Sequence, residues 1–307
     1  MRALITGIRG QDGTYLAKEL RAHGREVFGF TRGAADGDRL VSVDYSDAEA
    51  FWEQLDAIQP DEIYHLASPS CIRDAFDYEQ EIFAISVGTT LTFLRWIAER
   101  SPTTRFFFAG STEVYGNPVA TPQSEATTTQ PANAYAVAKL AGQELGAAFR
   151  RSKGVFASTG ILFNHESPLR TLDFVTRRIT QGVAGIASGK QKKLSLGNLA
   201  ARRDWSHAAD FARAFRLILE ATEPEEFVLA SGEHHSVETF CEIAFASAGM
   251  DWRQYVREDP AFFRADYFYP RCGDAGKART KLGWAPEINF KELVEEMVRS
   301  DLKLVGR

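Results

Sequence analysis

The chain has 307 residues, with 36 Lys and Arg against 41 Asp and Glu, a net charge of −5 and 44% hydrophobic residues. That length fits one large domain or two closely joined ones with ample core, and an acidic balance without a basic tract excludes nucleic acid as the expected partner. Cys71, Cys241 and Cys272 are odd in number and widely spaced, with no metal-ligand pattern; no signal segment and no membrane-spanning apolar run is expected, so the location expected is cytoplasmic, with no membrane partner.

The first strand is the apolar run Ala3 to Thr6. Gly7, Gly10 and Gly13 follow it, and a helix pattern through Tyr15, Leu16 and Leu20 stops at Gly24. Strand, glycine turn and helix form a dinucleotide fingerprint: the glycines allow a tight turn and close backbone approach, and the helix N-terminus faces a pyrophosphate. Gly7, Arg9, Gly10, Gln11, Asp12 and Gly13 are therefore candidate cofactor residues. The next strand, Glu26 to Phe30, ends in Thr31-Arg32 rather than an acid. An acid there suits the ribose of NAD, whereas an arginine suits a 2′-phosphate. Arg32, with Arg9 as a second phosphate ligand, favours NADP over the alternative of two ordinary surface arginines. Asp44 and Tyr45, after the third strand, are expected to border the adenine.

Further along, the pattern predicts a helix over 47–58, a strand over 62–66, a helix over 79–100, a strand over 105–109, a helix over 134–151 and a strand over 155–163. This alternation implies an α/β fold, a Rossmann-type doubly wound parallel sheet with a smaller C-terminal α/β substrate-binding domain. Residues 1–163, with about 200–230, form the expected NADP-binding domain; 164–199 and 231–307 form the expected substrate-binding domain. Helices are expected near 172–188, 207–221, 236–249 and 289–303, and 117–133 as a loop. Ligands of such sheets bind beyond the carboxyl ends of the strands. Leu66, Ala67, Ser68 and Ser70, then Ser111 to Glu113, then Asn164, all fall there.

Tyr135 and Lys139 stand one helical turn apart on one face. A free tyrosine has a pKa near ~10 and is a poor base at neutral pH. An ammonium at about 4 Å in a partly desolvated site favours the phenolate by up to ~4 kcal/mol, so Lys139 is expected to bring Tyr135 toward physiological pH. A tyrosine tuned in this way takes a proton from a sugar hydroxyl while hydride leaves the same carbon.

The glycine turn, Ser111 and the Tyr135/Lys139 pair resemble the extended short-chain dehydrogenase/reductase family, which acts on nucleotide-sugars. Within it, the chain is most similar to the GDP-mannose 4,6-dehydratase group. The matching stretches are Ile5 to Leu16, Ser111 to Gly116, Tyr135 to Leu140, Gly160 to Pro168, Phe174 to Arg177, Leu196 to Leu199, Arg203 to Trp205 and Lys281 to Trp284. The resemblance implies NADP as cofactor, a GDP-sugar as substrate, and a homodimer or tetramer. It implies that Tyr135 takes the O4 proton as the C4 hydride leaves and that Ser111 bonds O4. Glu113 removes the C5 proton and returns one to the departing C6 hydroxyl, and Lys139 also holds the nicotinamide ribose. Ser70, Asn164, Arg177, Arg178, Arg203 and Arg264 then become candidate substrate ligands.

The chain departs from that group in three places. Only a short Gly-Ala-Ala-Asp-Gly turn follows Arg32, where the group carries a long insertion that reaches a neighbouring subunit, which favours a dimer through helices 79–100 and 134–151. Tyr267 replaces a glutamate, and Pro131-Ala-Asn-Ala134 replaces the segment before the tyrosine. Two activities stay open at this point. One is a dehydratase acting on GDP-mannose or a close relative such as a GDP-heptose. The other is an NADPH-dependent reductase or epimerase/reductase of a GDP-4-keto-6-deoxy sugar, which shares Ser111, Tyr135 and Lys139.

Overall fold

The computed structural model describes residues 1–45, 47–69, 78–117, 121–263 and 271–306. Seven strands make one parallel sheet: β1 (Arg2–Thr6), β2 (Glu26–Thr31), β3 (Leu40–Ser42), β4 (Glu62–His65), β5 (Arg105–Ala109), β6 (Ala157–Leu162) and β7 (Glu226–Leu229). Their order is β7-β6-β5-β4-β1-β2-β3. The chain runs outward from β1 to β3 and then returns to the other side of β1 as β4, so β1 and β4 flank the switch point where such sheets bind ligands. β1 and β5 carry the apolar runs Ala3–Ile5 and Phe106–Ala109, and β4 and β6 are buried along their whole length although they include Glu62, His65, Ser158 and Thr159, because helices cover both faces of the sheet.

The covering helices are α1 (Gln11–Ala22), α2 (Ala48–Ile58), α3 (Glu79–Arg100), α4 (Ala134–Lys153) and α6 (Ala208–Glu220), with α5 (Val175–Ala187) lying between α4 and α6 in the chain. Contrary to the expectation from sequence, α3 is long and apolar enough to cross a membrane by length and composition. Its apolarity serves the fold: Phe93, Leu94, Trp96 and Ile97 are buried against the sheet and Ile82 against Ala138 of α4. Ala84–Thr89 within it winds as a π-helix, a local widening that often marks a functional site.

A second core sits beyond the carboxyl ends of the strands. It joins α5, α7 (Val237–Ala246) and α9 (Phe290–Val305) around Trp205, Phe240, Phe245 and Met297. α6 returns to the sheet, where Phe211 and Phe215 pack with Leu16 and Leu20 of α1. A further helix, α8 (Gly276–Leu282), does the same, although 231–307 was expected wholly in the second domain. Ala278 and Trp284 sit in the sheet core, and the Trp284 indole donates to the Asp210 carbonyl at 2.8 Å.

Candidate active site

The glycine turn packs without room for side chains. A Cβ on Gly13 would lie 2.3 Å from the Gly7 carbonyl oxygen, so α1 starts directly against the turn that precedes it. A cavity of about 300 Å³ opens there, lined by Gly7, Arg9, Gly10, Arg32, Tyr45, Leu66, Ala67 and Ser68, together with Ile8, Phe30, Thr31, Gly33 and Ile85. The structure thus brings eight of the sequence-derived cofactor candidates to one hollow. Arg32 is ion-paired with Glu81 at the start of α3, and Arg9 donates to the Ala34 carbonyl at 2.8 Å. Burial pushes the Tyr45 phenol up to about 12, against the pull of Arg32. Asp44 lies just before it, exposed at the surface.

Gln11 and Asp12 turn away from that hollow toward the segment after β6. Asp12 Oδ2 lies 2.9 Å from His165 Nε2, Gln11 donates to the His165 carbonyl at 3.0 Å, and Ser167 donates to Gln11 at 2.8 Å. Although burial opposes it, the charge of His165 and its hydrogen bond hold Asp12 down at about 2. His165 also stacks on Phe211 with ring centroids 4.4 Å apart. The Asn-His-Glu-Ser run after β6 is therefore the clamp that joins the second core to the first turn of α1.

Two residues unforeseen in the sequence shape the cavity wall. The Thr6 hydroxyl lies 2.8 Å from His65 Nδ1 and accepts from the Leu66 and Ala67 amides at 3.1 and 3.0 Å. His65 Nε2 in turn lies 3.0 Å from the carbonyl of Ile85 in the π-helical stretch. The carbonyl can only accept, so the ring carries its proton on Nε2 and Nδ1 accepts from Thr6. Burial pushes His65 down to about 3. Polar residues at the carboxyl ends of β1 and β4 were the available signal.

Ser111 begins a tight turn, Thr112–Tyr115, and its hydroxyl accepts from the Glu113 amide at 3.2 Å. Gly116 ends the turn at φ 61°; a Cβ there would lie 2.0 Å from the Gln130 carbonyl oxygen, which explains the glycine in this motif. Asn133 caps α4 by accepting from the Ala136 amide at 2.8 Å, so the altered Pro131–Ala134 segment carries the cap of the tyrosine helix. From α4, Tyr135 reaches back to a hydrogen bond with the Ser111 side chain, with Glu113 close enough for its charge to act on the phenol.

The electrostatics differ from the sequence expectation. Burial, together with the negative charges of Glu113 and Asp12, drives Tyr135 up to about 12, against Ser111 and Arg170. Even with Lys139 one turn away, the phenol is raised rather than lowered. The lysine ammonium is buried, donates to the Ala109 carbonyl at 2.8 Å and lies 5.6 Å from the Tyr135 ring centre, while burial lowers it to about 8. Arg170, missed in the sequence, contributes the cation: it lowers Tyr135 and lies 3.3 Å from Glu166.

Glu113 is buried rather than a solvated turn carboxylate, and its partner is the buried Arg271, 158 residues away. No local pattern announces such a pair. Among the substrate candidates, Asn164 opens the short strand paired with Trp205–His207, and Arg178 lies over Phe262 with its guanidinium carbon 4.5 Å from the ring centre. Arg203 donates to the Arg202 carbonyl at 2.6 Å. Arg177 corrects the expectation: it is 7% exposed and ion-paired with Asp301 of α9, so its charge serves the packing of α5 on α9. Ser70, Arg264, Tyr267 and Cys71 lie outside the described residues.

Among known sequences, the chain matches the family described as GDP-mannose 4,6 dehydratase over residues 4–297. GDP-mannose 4,6 dehydratase 2 of Arabidopsis thaliana is 38% identical over 328 residues, covering 99% of this chain and 88% of that protein. The GDP-mannose 4,6-dehydratase of Vibrio cholerae is 36% identical over 354 residues, covering 100% and 95%. Among solved structures, RMD from Pseudomonas aeruginosa complexed with NADPH has the same fold, with a TM-score of 0.86 at 23% identity over 99% of each chain.

Proposed function

Since the chain belongs to the GDP-mannose 4,6 dehydratase family, we propose that it removes water from GDP-mannose, or from a close GDP-sugar such as a GDP-heptose, to give the GDP-4-keto-6-deoxy sugar. The observation that carries this is the buried Glu113 carboxylate beside the Ser111–Tyr135 pair. Oxidation or reduction at C4 needs a hydroxyl, a phenol and an ammonium, whereas elimination across C5 and C6 also needs a carboxylate.

The cavity fits a nicotinamide dinucleotide, because the Gly13 cradle and the turn at Gly7 and Gly10 leave the backbone open to a pyrophosphate. Arg32, at the end of β2 in that cavity, suits a 2′-phosphate, which makes NADP the cofactor we assign. When bound, it accepts the C4 hydride and later returns it to C6. Tyr135 takes the O4 proton while Ser111 donates to O4. A phenol held near 12 even with Arg170 close releases its proton more readily when further positive charge arrives, which an oxidised nicotinamide bound in the site would supply. Lys139 meets the cofactor ribose. Glu113 then takes the C5 proton, which the 4-keto group has made acidic, and passes a proton to the leaving C6 hydroxyl.

We place the GDP moiety between the sheet and the second core, with Asn164, Arg178 and Arg203 as its ligands. The exposed apolar residues of α3 and α4 form the contact of a homodimer. The test is to incubate the protein with NADP+ and GDP-mannose in D2O and follow the sugar by NMR. A new 6-deoxy methyl with deuterium at C5 is expected. Unchanged GDP-mannose and GDP-heptose, with NADPH consumed on a 4-keto-6-deoxy sugar instead, would overturn the assignment in favour of a reductase.

A further inference from the structure

We propose that Arg271 is a positioning residue that aims the Glu113 carboxylate for the elimination half of the reaction. The proposal rests on the dehydratase assignment and extends it to a residue 158 positions from the turn it serves. Arg271 is 5% exposed and Glu113 8%. One guanidinium nitrogen bonds Glu113 Oε1 and another donates to the Gly116 carbonyl at 3.1 Å. The fork therefore grips both ends of the Thr112–Tyr115 turn, which a point charge could not do.

The cation is itself held. The Arg271 carbonyl accepts from the Asp204 amide at 3.1 Å, and Arg271 pairs with Arg203 as an isolated bridge. In the next three residues, the Cys272 carbonyl accepts from the Gln123 amide at 2.8 Å. The Gly273 amide donates to Asp204 at 3.1 Å, and the Asp274 amide donates to the Gln123 carbonyl at 2.8 Å. A guanidinium on so fixed a backbone transmits its position to the carboxylate it binds. A buried carboxylate without it would have several rotamers, and a displacement of about 1 Å at a reacting group costs about 100-fold in rate.

With Oε1 bound to Arg271, proton transfer falls to Oε2. The C5–H electron pair becomes the C5–C6 double bond, the C6–O bond breaks, and the proton taken by Glu113 leaves with the hydroxyl as water. Hydride returned to C6 and a solvent proton at C5 complete the product. Oxidation at C4 precedes all this and uses Ser111, Tyr135 and Lys139: the Tyr135 phenol bonds the Ser111 side chain, Lys139 donates to the Ala109 carbonyl, and Ser111 meets Glu113 through its backbone amide rather than through the carboxylate that Arg271 holds.

Stopped-flow absorbance at the reduced-nicotinamide band, with product NMR in D2O, separates the two halves in the NADP+ holoenzyme with GDP-mannose. Arg271→Met is expected to reduce the cofactor at the wild-type rate and hold it reduced, while 6-deoxy product falls about 100-fold. Arg271→Lys, which keeps the charge and loses the fork, is expected to keep cofactor reduction and recover part of the elimination rate. Elimination at the wild-type rate in Arg271→Met overturns the proposal. So does an equal loss of both halves in the Met and Lys variants, which would show a purely structural role. Wild-type protein that forms no 6-deoxy product brings down the dehydratase assignment instead.

Discussion

A phenol buried near a carboxylate holds its proton, and Tyr135, near 12, is such a phenol. The lysine one turn along does not reverse this, because its ammonium is committed to the Ala109 carbonyl. Positive charge beyond that of Arg170 favours the phenolate, and an oxidised nicotinamide bound in the site would supply it. Tyr135→Phe keeps the ring and removes the transferable proton. It is expected to lower turnover by about 10²–10⁴-fold while NADP affinity, read by fluorescence titration, stays near wild type; wild-type turnover would sink the assigned role. His65 makes a prediction of the opposite kind. Its ring is neutral when folded, with a pKa lowered from 6.5 to about 3 by burial. The unfolded chain therefore binds the proton first as pH falls, and acid favours unfolding across that window. Stability in urea titrations is expected to fall by about 1.4 kcal/mol per pH unit between those values on account of this residue. In His65→Asn that part of the slope disappears. An unchanged slope would mean that the ring is not buried neutral between Thr6 and Ile85.

Helix faces decide what a charged side chain can do. Arg177 and Arg178 are neighbours in sequence and stand about 100° apart on α5; the first faces Asp301 and the second lies over Phe262. Asp301 continues the buried stripe of Val294, Met297 and Val298 on α9, so a carboxylate there requires a cation. Removing one partner of a buried pair costs about 3–5 kcal/mol, whereas replacing both with apolar groups recovers much of that. Arg177→Met is expected to show that loss in chemical denaturation, and Arg177→Met with Asp301→Leu is expected to restore most of it, with the KM for GDP-mannose unchanged in both. A raised KM at wild-type stability would return Arg177 to the substrate. The same periodicity shows why the sheet elements were legible in the sequence. β1, β5 and α4 announce themselves by apolar runs, a glycine turn and a capped amphipathic pattern. Ser111, Glu113 and Tyr135 were legible because their motifs are local. Arg271, His65 and Arg170 were not, since each acquires its role from a partner brought near only by the parallel crossovers, and α8 was too short to show a period.

At the scale of the whole molecule, the apolar composition of α3 exceeds what the sheet covers. Half of its most apolar window is buried, while Phe83 and Leu91 are each 38% exposed, beside Tyr78 at 54% and Val137 of α4 at 41%. Scattered exposed apolar residues are ordinary, but several on one helix pair mark an association surface. A second copy is the occupant we propose, since the two helices pack side by side and a stable dimer needs about 800 Å² from each copy. Neither Leu91 nor Val137 is among the residues that line the cofactor cavity. Separating the copies is therefore expected to leave NADP binding intact. Leu91→Glu with Val137→Glu places charge in the contact, and desolvating unpaired carboxylates there costs more than the lost apolar area. Sedimentation velocity is expected to show a dimer for the wild type and a monomer for this variant, with equal NADP affinity. A wild-type monomer at micromolar concentration would assign the apolar face to another partner, and a variant that dimerises as before would place the interface elsewhere on the molecule.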